Sequence, residues 1–450
     1  MELYYGYTGI AARMLKSINA EPGDKVTIVL KDGSFFTGVL MPRQALYAER
    51  PILVIKLENG YNIGLNVNEV SELKLVAKKQ EHHRRTEEKS RVGGLPRVSL
   101  VNTGGTIASR VDYETGGVTP ALTAEDILEW MPELEDIAVF DVKEVMKVFS
   151  EDIEPRHWEL ISSEVYKEIM NGVAGVIVTH GTDTMSYSAS AVAFSIIGKP
   201  VPVVFVGSQR SSDRPSSDSA FNLKAAFITA VKAPFAESVI VMHGESSDSY
   251  ALAHRGVKAR KMHTSRRDAF QSINDKPIAK IYPDTGEVKI TGRIVEYRGV
   301  AKNTELKNKF DDRVALVKMY PGLQPEIIEY LVDKGFHGIV LEGSGLGHIA
   351  NKLIPTVERA VENGIPVVMT SQCLFGRVNL NVYSTGRRLL EAGVIPASDM
   401  LPETAYVKLS WILGSISRDL SDVRRILLTN IAGEINERHT LDLYPRWNHE

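Results

Sequence analysis

Four polar segments hold the side chains of this chain that could do chemistry. They read TGGTIAS (103–109), VFSED (148–152), THGTDTM (179–185) and KARKMHTSRRDAF (258–270). Together they offer Thr106, Ser150, Thr182, Asp183 and Lys261. A threonine hydroxyl is a weak nucleophile at neutral pH and needs a base or a hydrogen-bonded relay. The adjacent Gly104 and Gly105 permit unusual backbone angles and close approach of a substrate. Such a turn could present both a hydroxyl and backbone N–H donors to a developing oxyanion. Thr182 and Asp183, with Lys261 from elsewhere in the chain, add a second hydroxyl and an acid–base pair. A neighbouring carboxylate favours protonated lysine, whereas work as a general base requires the neutral amine that burial favours.

Each segment alone admits a plainer role. A TGGT loop serves equally as a tight turn or a phosphate cradle. It is not a P-loop, because no Gly-Lys-Ser/Thr follows, and its adjacent glycines do not fit G-x-G-x-x-G. Thr103 reads as structural and His180 as a residue that orients its loop. Lys261 stands among five other basic residues of its segment and alone would read as a surface charge. The pair His82-His83 has no third ligand of suitable spacing nearby and reads as solvated linker rather than metal site. Only the combination points to catalysis.

The elements that must position these groups follow from hydrophobic pattern. VSLVNT, AGVIVTHG, VPVVFVGS, SVIVMHGE, RVALVKMY, HGIVLEGS and PVVMTS are short apolar runs of buried strands. Between many of them lie helix-like stretches: MSYSASAVAFSIIG, DSAFNLKAAFITAV, QPEIIEYLVDKG and LIPTVERAVENG. The last two end in glycine, as helix C-termini often do. LPETAYVKLSWILG and DLSDVRRILLTN read as closing helices. This alternation predicts an α/β architecture with mainly parallel sheets, whose ligands gather at the carboxyl ends of strands. The first 77 residues differ. Two hairpin patterns, around Asp32-Gly33 and Asn59-Gly60, predict a small β-barrel adaptor domain, SH3-like or Sm-like. A charged linker is expected over 78–95. A larger α/β domain carrying the motifs is expected over 96–300, and a smaller C-terminal α/β domain over 313–450.

At 450 residues the chain exceeds one ordinary core. Its net charge of −3 argues against a large nucleic-acid footprint on this chain alone. Cys373 is the only cysteine, which excludes an intrachain disulfide and a cysteine-rich metal cluster. MELYYGYTGIAARMLKSINA lacks the apolar run of a signal peptide, and no stretch approaches the roughly 20 apolar residues of a membrane helix. A soluble, cytoplasmic protein without membrane contact is expected.

TGGTIAS followed by THGTDTM closely resembles the paired threonine signatures of the L-asparaginase/glutaminase family, over most of the chain from Pro96 onward. The resemblance implies that Thr106 is the primary nucleophile. It implies that Thr182, Asp183 and Lys261 form a second catalytic group, with Phe270 at the family's offset from the lysine. Ser150 and Glu151 resemble the family's substrate-binding pair, and Asp183 a contact to the substrate's α-amino group. The implied reaction is hydrolysis of a side-chain carboxamide through an acyl-enzyme, with no metal and no cofactor on this chain. The family's lid tyrosine has a departure here, since Tyr113 in RVDYETGGVTP lies nearer the motif than the pattern places it. The barrel and linker before Pro96 are similar to those of the D-subunit family of archaeal glutamyl-tRNA(Gln) amidotransferases, as is GRRLLEAGVIPASDMLPETAYVKLSWILG. That resemblance implies a glutaminase taking L-glutamine and supplying ammonia to an E-type partner subunit. The partner would use ATP and magnesium and hold the Glu-tRNA(Gln). A homodimer within a heterotetramer is implied as well. A free-standing L-asparaginase and a non-catalytic RNA- or protein-binding scaffold are the competing readings.

Overall fold

The computed structural model describes residues 4–41, 43, 50–57, 62–78, 94–104, 109–111, 118–120, 127, 131–210, 217–301 and 303–444. Most of the charged linker, with His82-His83, lies outside the described residues, as does Asn59-Gly60.

Helix α1 (Gly9–Ser17), not anticipated from the sequence, buries Ala11, Ala12 and Leu15 against a small β domain. Its strands are β1 (Lys25–Leu30), β2 (Phe35–Leu40), β3 (Ile52–Lys56), β4 (Asn62–Asn66) and β5 (Val70–Ala77), in the antiparallel order β4-β3-β2-β1-β5. Val26 and Ile28 alternate onto the core face, as strand pleating requires. At the Asp32-Gly33 turn, Gly33 takes φ +86° and the Asp32 carboxylate accepts from the Ser34 N–H at 2.9 Å.

The next unit starts with β6 (Arg97–Asn102), the short pair β7 (Ser109–Val111) and β8 (Val118–Pro120), and β9 (Val139–Glu144). Helix α2 (Pro155–Met170), β10 (Gly175–Thr179), α3 (Met185–Ser195), β11 (Ile196–Ile197), β12 (Val203–Val206), α4 (Ser219–Lys232) and β13 (Ser238–His243) follow. Then come β14 (Ala251–Arg255), β15 (Ala259–Lys261), β16 (Phe270–Ser272), β17 (Ala279–Tyr282), β18 (Glu287–Ile290) and β19 (Glu305–Leu306). Eight of these strands form one sheet in the order β18-β17-β14-β13-β12-β10-β6-β9. The five from β13 to β9 run parallel, and β14, β17 and β18 extend one edge antiparallel.

The apolar strands β10 and β13 are buried along their whole length. Period-2 alternation divides their side chains between two layers. Ile177, Val204 and Val239 pack with α4 on one face. Val178, Phe205 and Ile240 pack with α2 and α3 on the other. The expected helix MSYSASAVAFSIIG ends earlier than its pattern suggests. Ile196-Ile197 leave it to pair with β19, a conformation that suits β-branched side chains.

The remaining unit is a four-stranded parallel sheet, β20 (Val314–Lys318), β21 (Gly338–Gly343), β22 (Val367–Ser371) and β23 (Ile395–Pro396). Helices α5 (Glu326–Asp333), α6 (Ile354–Glu362), α7 (Ser384–Glu391), α8 (Pro402–Ser415) and α9 (Leu420–Leu427) flank it. Gly335 and Gly364 follow α5 and α6 at φ +69° and +76°, the left-handed stop that glycine allows. Helix α8 is buried nearly all round and packs against α3, so Trp158 and Phe194 share one apolar cluster with Val340, Val368 and Trp411. No described helix is long and apolar enough to cross a membrane.

Candidate active site

Strands β6 and β10 lie side by side in parallel, with Asn102 directly opposite Thr179. Their carboxyl ends therefore bring Thr103 and Gly104, the start of the first threonine motif, beside the start of the second. Asn102 is the joint between them. Its Oδ1 accepts from the Gly104 N–H at 3.0 Å and from the Thr179 hydroxyl at 2.9 Å. Thr103 donates its hydroxyl to Thr179 O at 2.8 Å and is buried, the structural part that the sequence suggested. Gly104 has φ +102°, and a Cβ there would sit 2.7 Å from Val148 O. Only glycine fits this turn. Thr106 and Tyr113 lie outside the described residues.

The second motif leaves β10 through His180, whose ring is fully buried. Its Nδ1–H donates to Gly181 O at 2.7 Å, and the Ser188 hydroxyl donates to Nε2 at 2.8 Å. Burial pulls its pKa down to about 4, so the ring is neutral near pH 7, and with Nδ1–H donating to the carbonyl the unprotonated Nε2 accepts from Ser188. His180 orients the loop, as expected. Gly181 lies so close to the loop after β9 that a Cβ would be 2.6 Å from the Ser150 Cβ. Thr184 ties the same loop by donating its hydroxyl to Ser150 O at 2.6 Å.

The structure brings together Ser150, Glu151, Thr182, Asp183 and Lys261. Lys261 Nζ donates to Thr182 Oγ1 at 2.9 Å and to Asp183 Oδ1 at 2.7 Å. The other oxygen, Asp183 Oδ2, lies 3.3 Å from Ser150 Oγ, and Glu151 Oε2 lies 3.4 Å from the same hydroxyl. The single hydroxyl proton of Ser150 can serve only one of these carboxylates at a time. The lysine side chain is 12% exposed and that of Asp183 65%, so the ammonium is enclosed while the carboxylate faces solvent. Such a carboxylate can receive a ligand's ammonium group, and the enclosed lysine–threonine pair can exchange a proton with a group above it. Lys261 ends β15, and Phe270, at the offset noted in the sequence, is its cross-strand partner in β16. Among the described residues no group of three or more His, Cys, Asp or Glu could hold a metal.

A cavity of about 410 Å³ lies elsewhere, in the small unit, lined by Phe336, His337, Arg359 and Arg418 among others. None of the four motif segments reaches it. The chemistry is thus marked by convergent polar groups, with the neighbouring 105–108 and 112–117 outside the described residues.

Sequence reasoning missed Asn102. It ends an apolar strand and reads as a turn residue, and only the β6–β10 register reveals that it joins the two motifs.

Comparison with known proteins agrees with this architecture. The asparaginase N-terminal family model matches residues 97–296, the glutaminase/asparaginase C-terminal domain model 313–427, and the GatD N-terminal domain model 20–76. The glutamyl-tRNA(Gln) amidotransferase D subunit of Sulfurisphaera tokodaii is 50% identical over 446 residues, covering 99% of this chain and 98% of that protein. The corresponding D subunit of Pyrococcus abyssi is 52% identical over 439 residues, covering 96% and 99%. Among solved structures, the thermostable L-asparaginase from Thermococcus kodakarensis superposes with a TM-score of 0.67 at 35% identity, covering 76% of this chain and 100% of that one. L-asparaginase I from Vibrio cholerae gives 0.67 at 28% identity over the same shares. The chain belongs to the asparaginase/glutaminase family and, within it, to the glutamyl-tRNA(Gln) amidotransferase D subunits.

Proposed function

We propose that the chain is the glutaminase subunit of a tRNA-dependent amidotransferase. It hydrolyses the side-chain carboxamide of L-glutamine and passes the ammonia to a partner of the E type. That partner, using ATP and magnesium, converts Glu-tRNA(Gln) to Gln-tRNA(Gln). In this reading Thr106 Oγ attacks the amide carbon and gives its proton to the neighbouring relay. The tetrahedral intermediate collapses with a proton delivered to the departing nitrogen, which leaves as ammonia. Water then cleaves the acyl-enzyme to glutamate and restores Thr106. Thr182, Asp183 and Lys261 manage the protons, with Tyr113 as the lid group. Ser150, Glu151 and Asp183 hold the α-amino and α-carboxylate ends of the substrate. A homodimer within a heterotetramer, working in the cytoplasm, completes the reading.

The observation that carries the proposal is the Lys261–Thr182–Asp183–Ser150 cluster at the carboxyl ends of adjacent parallel strands. The match to a GatD N-terminal domain over 20–76 favours the amidotransferase reading over a free-standing L-asparaginase. The test is ammonia release from glutamine and asparagine, by the chain alone and with its partner and Glu-tRNA(Gln), alongside Thr106→Ala. Glutamine turnover that rises with partner and charged tRNA, and is absent in Thr106→Ala, is the expected result. Robust asparagine turnover by the chain alone would overturn the amidotransferase reading. Full activity in Thr106→Ala would overturn the nucleophile.

A further inference from the structure

The segment that ends in Lys261 is gripped by three residues of one short stretch of the C-terminal half, Asp399, Glu403 and Thr404. Thr404 donates its hydroxyl to Val257 O at 2.9 Å. Lys258 Nζ pairs with Asp399 Oδ2 at 2.8 Å, and both side chains are fully buried. Arg260 Nη1 lies 2.8 Å from Glu403 Oε1. These three contacts come from 399–404, where the chain enters α8, and they fall on residues four, three and one before Lys261. Asp399 is itself fixed from the other side. Asn436 donates its backbone N–H to Oδ1 at 3.0 Å and its side-chain amide to Oδ2 at 2.9 Å.

Strand geometry gives this grip a direction. Successive side chains of β15 point to opposite faces, so Arg260 and Lys261 face away from each other. A hold on Arg260 from the C-terminal half therefore presents Lys261 to Thr182 and Asp183 in the loop after β10. Arg260 Nη1 and Glu403 Oε2 make no aligned hydrogen bond, so this contact is a charge attraction rather than a fitted fork. Burial pushes the Glu403 carboxyl up, and Arg260 opposes that push. Removing Arg260 leaves the carboxyl in its enclosed place without the cation.

We propose that Arg260 and Glu403 are positioning residues for the amide-hydrolysing site: the C-terminal half clamps 257–260 and thereby sets where the Lys261 amine stands. The proposal rests on the assignment of Lys261 to the reaction. Four variants of the full chain, each assembled with its E-type partner, test it by glutamine hydrolysis: Arg260→Ala, Glu403→Gln, the R260E/E403R exchange, and Lys261→Met. A misplacement near 1 Å costs about 100-fold in rate. Each single positioning variant is expected to lower kcat by about 10- to 100-fold, with KM unchanged and Tm lowered by no more than the loss of one enclosed charge pair accounts for, and the exchange to recover most of the loss in both. Normal kcat in both singles beside an inactive Lys261→Met overturns the clamp alone. A kcat loss that tracks a fall in Tm, with no recovery in the exchange, overturns it too, because the contacts would then be plain interface glue. Wild-type kcat in Lys261→Met removes the catalytic assignment itself.

Discussion

Gly181→Ala should damage substrate binding without unfolding the protein. Gly181 has no positive φ, so space rather than backbone conformation is what excludes a side chain. The added Cβ would lie 2.6 Å from the Ser150 Cβ, 3.0 Å from its Oγ and 3.2 Å from its N. Carbon atoms in contact settle at about 3.5–4.0 Å, so one of the two loops must retreat by roughly 1 Å. The Thr184–Ser150 hydrogen bond and the burial of Ser150 resist that retreat. Overpacking of this kind costs about 1–3 kcal/mol of stability, which a two-unit core of this size withstands. The displacement falls on Ser150, which shares a proton site with Asp183 and Glu151. A shift near 1 Å in a positioning group lowers kcat/KM by about 100-fold, or about 2.7 kcal/mol of transition-state stabilisation. The assay is ammonia release from glutamine by the variant with its partner, over a range of glutamine concentrations, beside a thermal melt. A raised KM with Tm lowered by only a few degrees is expected. Activity within twofold of the parent in a folded variant would refute the assignment of the 148–152 loop to substrate binding.

Other outcomes follow from the same geometry. Thr106→Ala should retain its Tm and lose ammonia release from glutamine; retained turnover would assign the nucleophile elsewhere. Asn102→Ala strips the acceptor from two buried donors, at about 1–3 kcal/mol for each group left unsatisfied, and should lower both the urea midpoint and kcat; an unchanged midpoint would show that the joint between motifs is dispensable. His180 and His254 are fully buried, and burial pulls each from 6.5 down to about 4. The unfolded chain takes up those protons first as pH falls. Their stabilisation is therefore complete above about pH 6.5 and lost toward pH 4, by up to about 3 kcal/mol each. Urea midpoints of the parent should fall across that window more steeply than those of a His180→Gln/His254→Gln variant, and equal slopes would refute the attribution.

The fold was legible wherever one segment settles its own environment. AGVIVTHG and SVIVMHGE read as strands because both faces are covered, leaving an unbroken apolar run. Lys261 and Phe270 were legible as a pair only through the family's offset, which the structure turns into a cross-strand pair of β15 and β16. Helix α2 escaped notice although Pro155 starts it and Glu154 and His157 form a reciprocal cap, with histidine where glutamate or glutamine usually stands. The antiparallel strands β14, β17 and β18 at one side of the sheet are short, and take their pairing from the sheet they extend. In the site, the residues that converge, Ser150, Glu151, Thr182, Asp183 and Lys261, were readable from motif. Those that hold them were not. Asn102, Asp399 and Glu403 each meet one partner 77 to 143 residues away, and local pattern carries no trace of such meetings.

The attachment of 399–404 to the Lys261 segment also sets a timetable. During synthesis both threonine motifs and Lys261 leave the ribosome well before Asp399, Glu403 and Asn436 do. At about 5–20 residues per second, the interval is roughly 7–28 s to Asp399. Through that interval the large sheet can form and β15 can pair with β16, yet Val257, Lys258 and Arg260 lack their C-terminal partners. On the proposed clamp, a nascent or prematurely ended chain carries Lys261 without the contacts that align it, and amide hydrolysis waits for the last part of the protein to arrive.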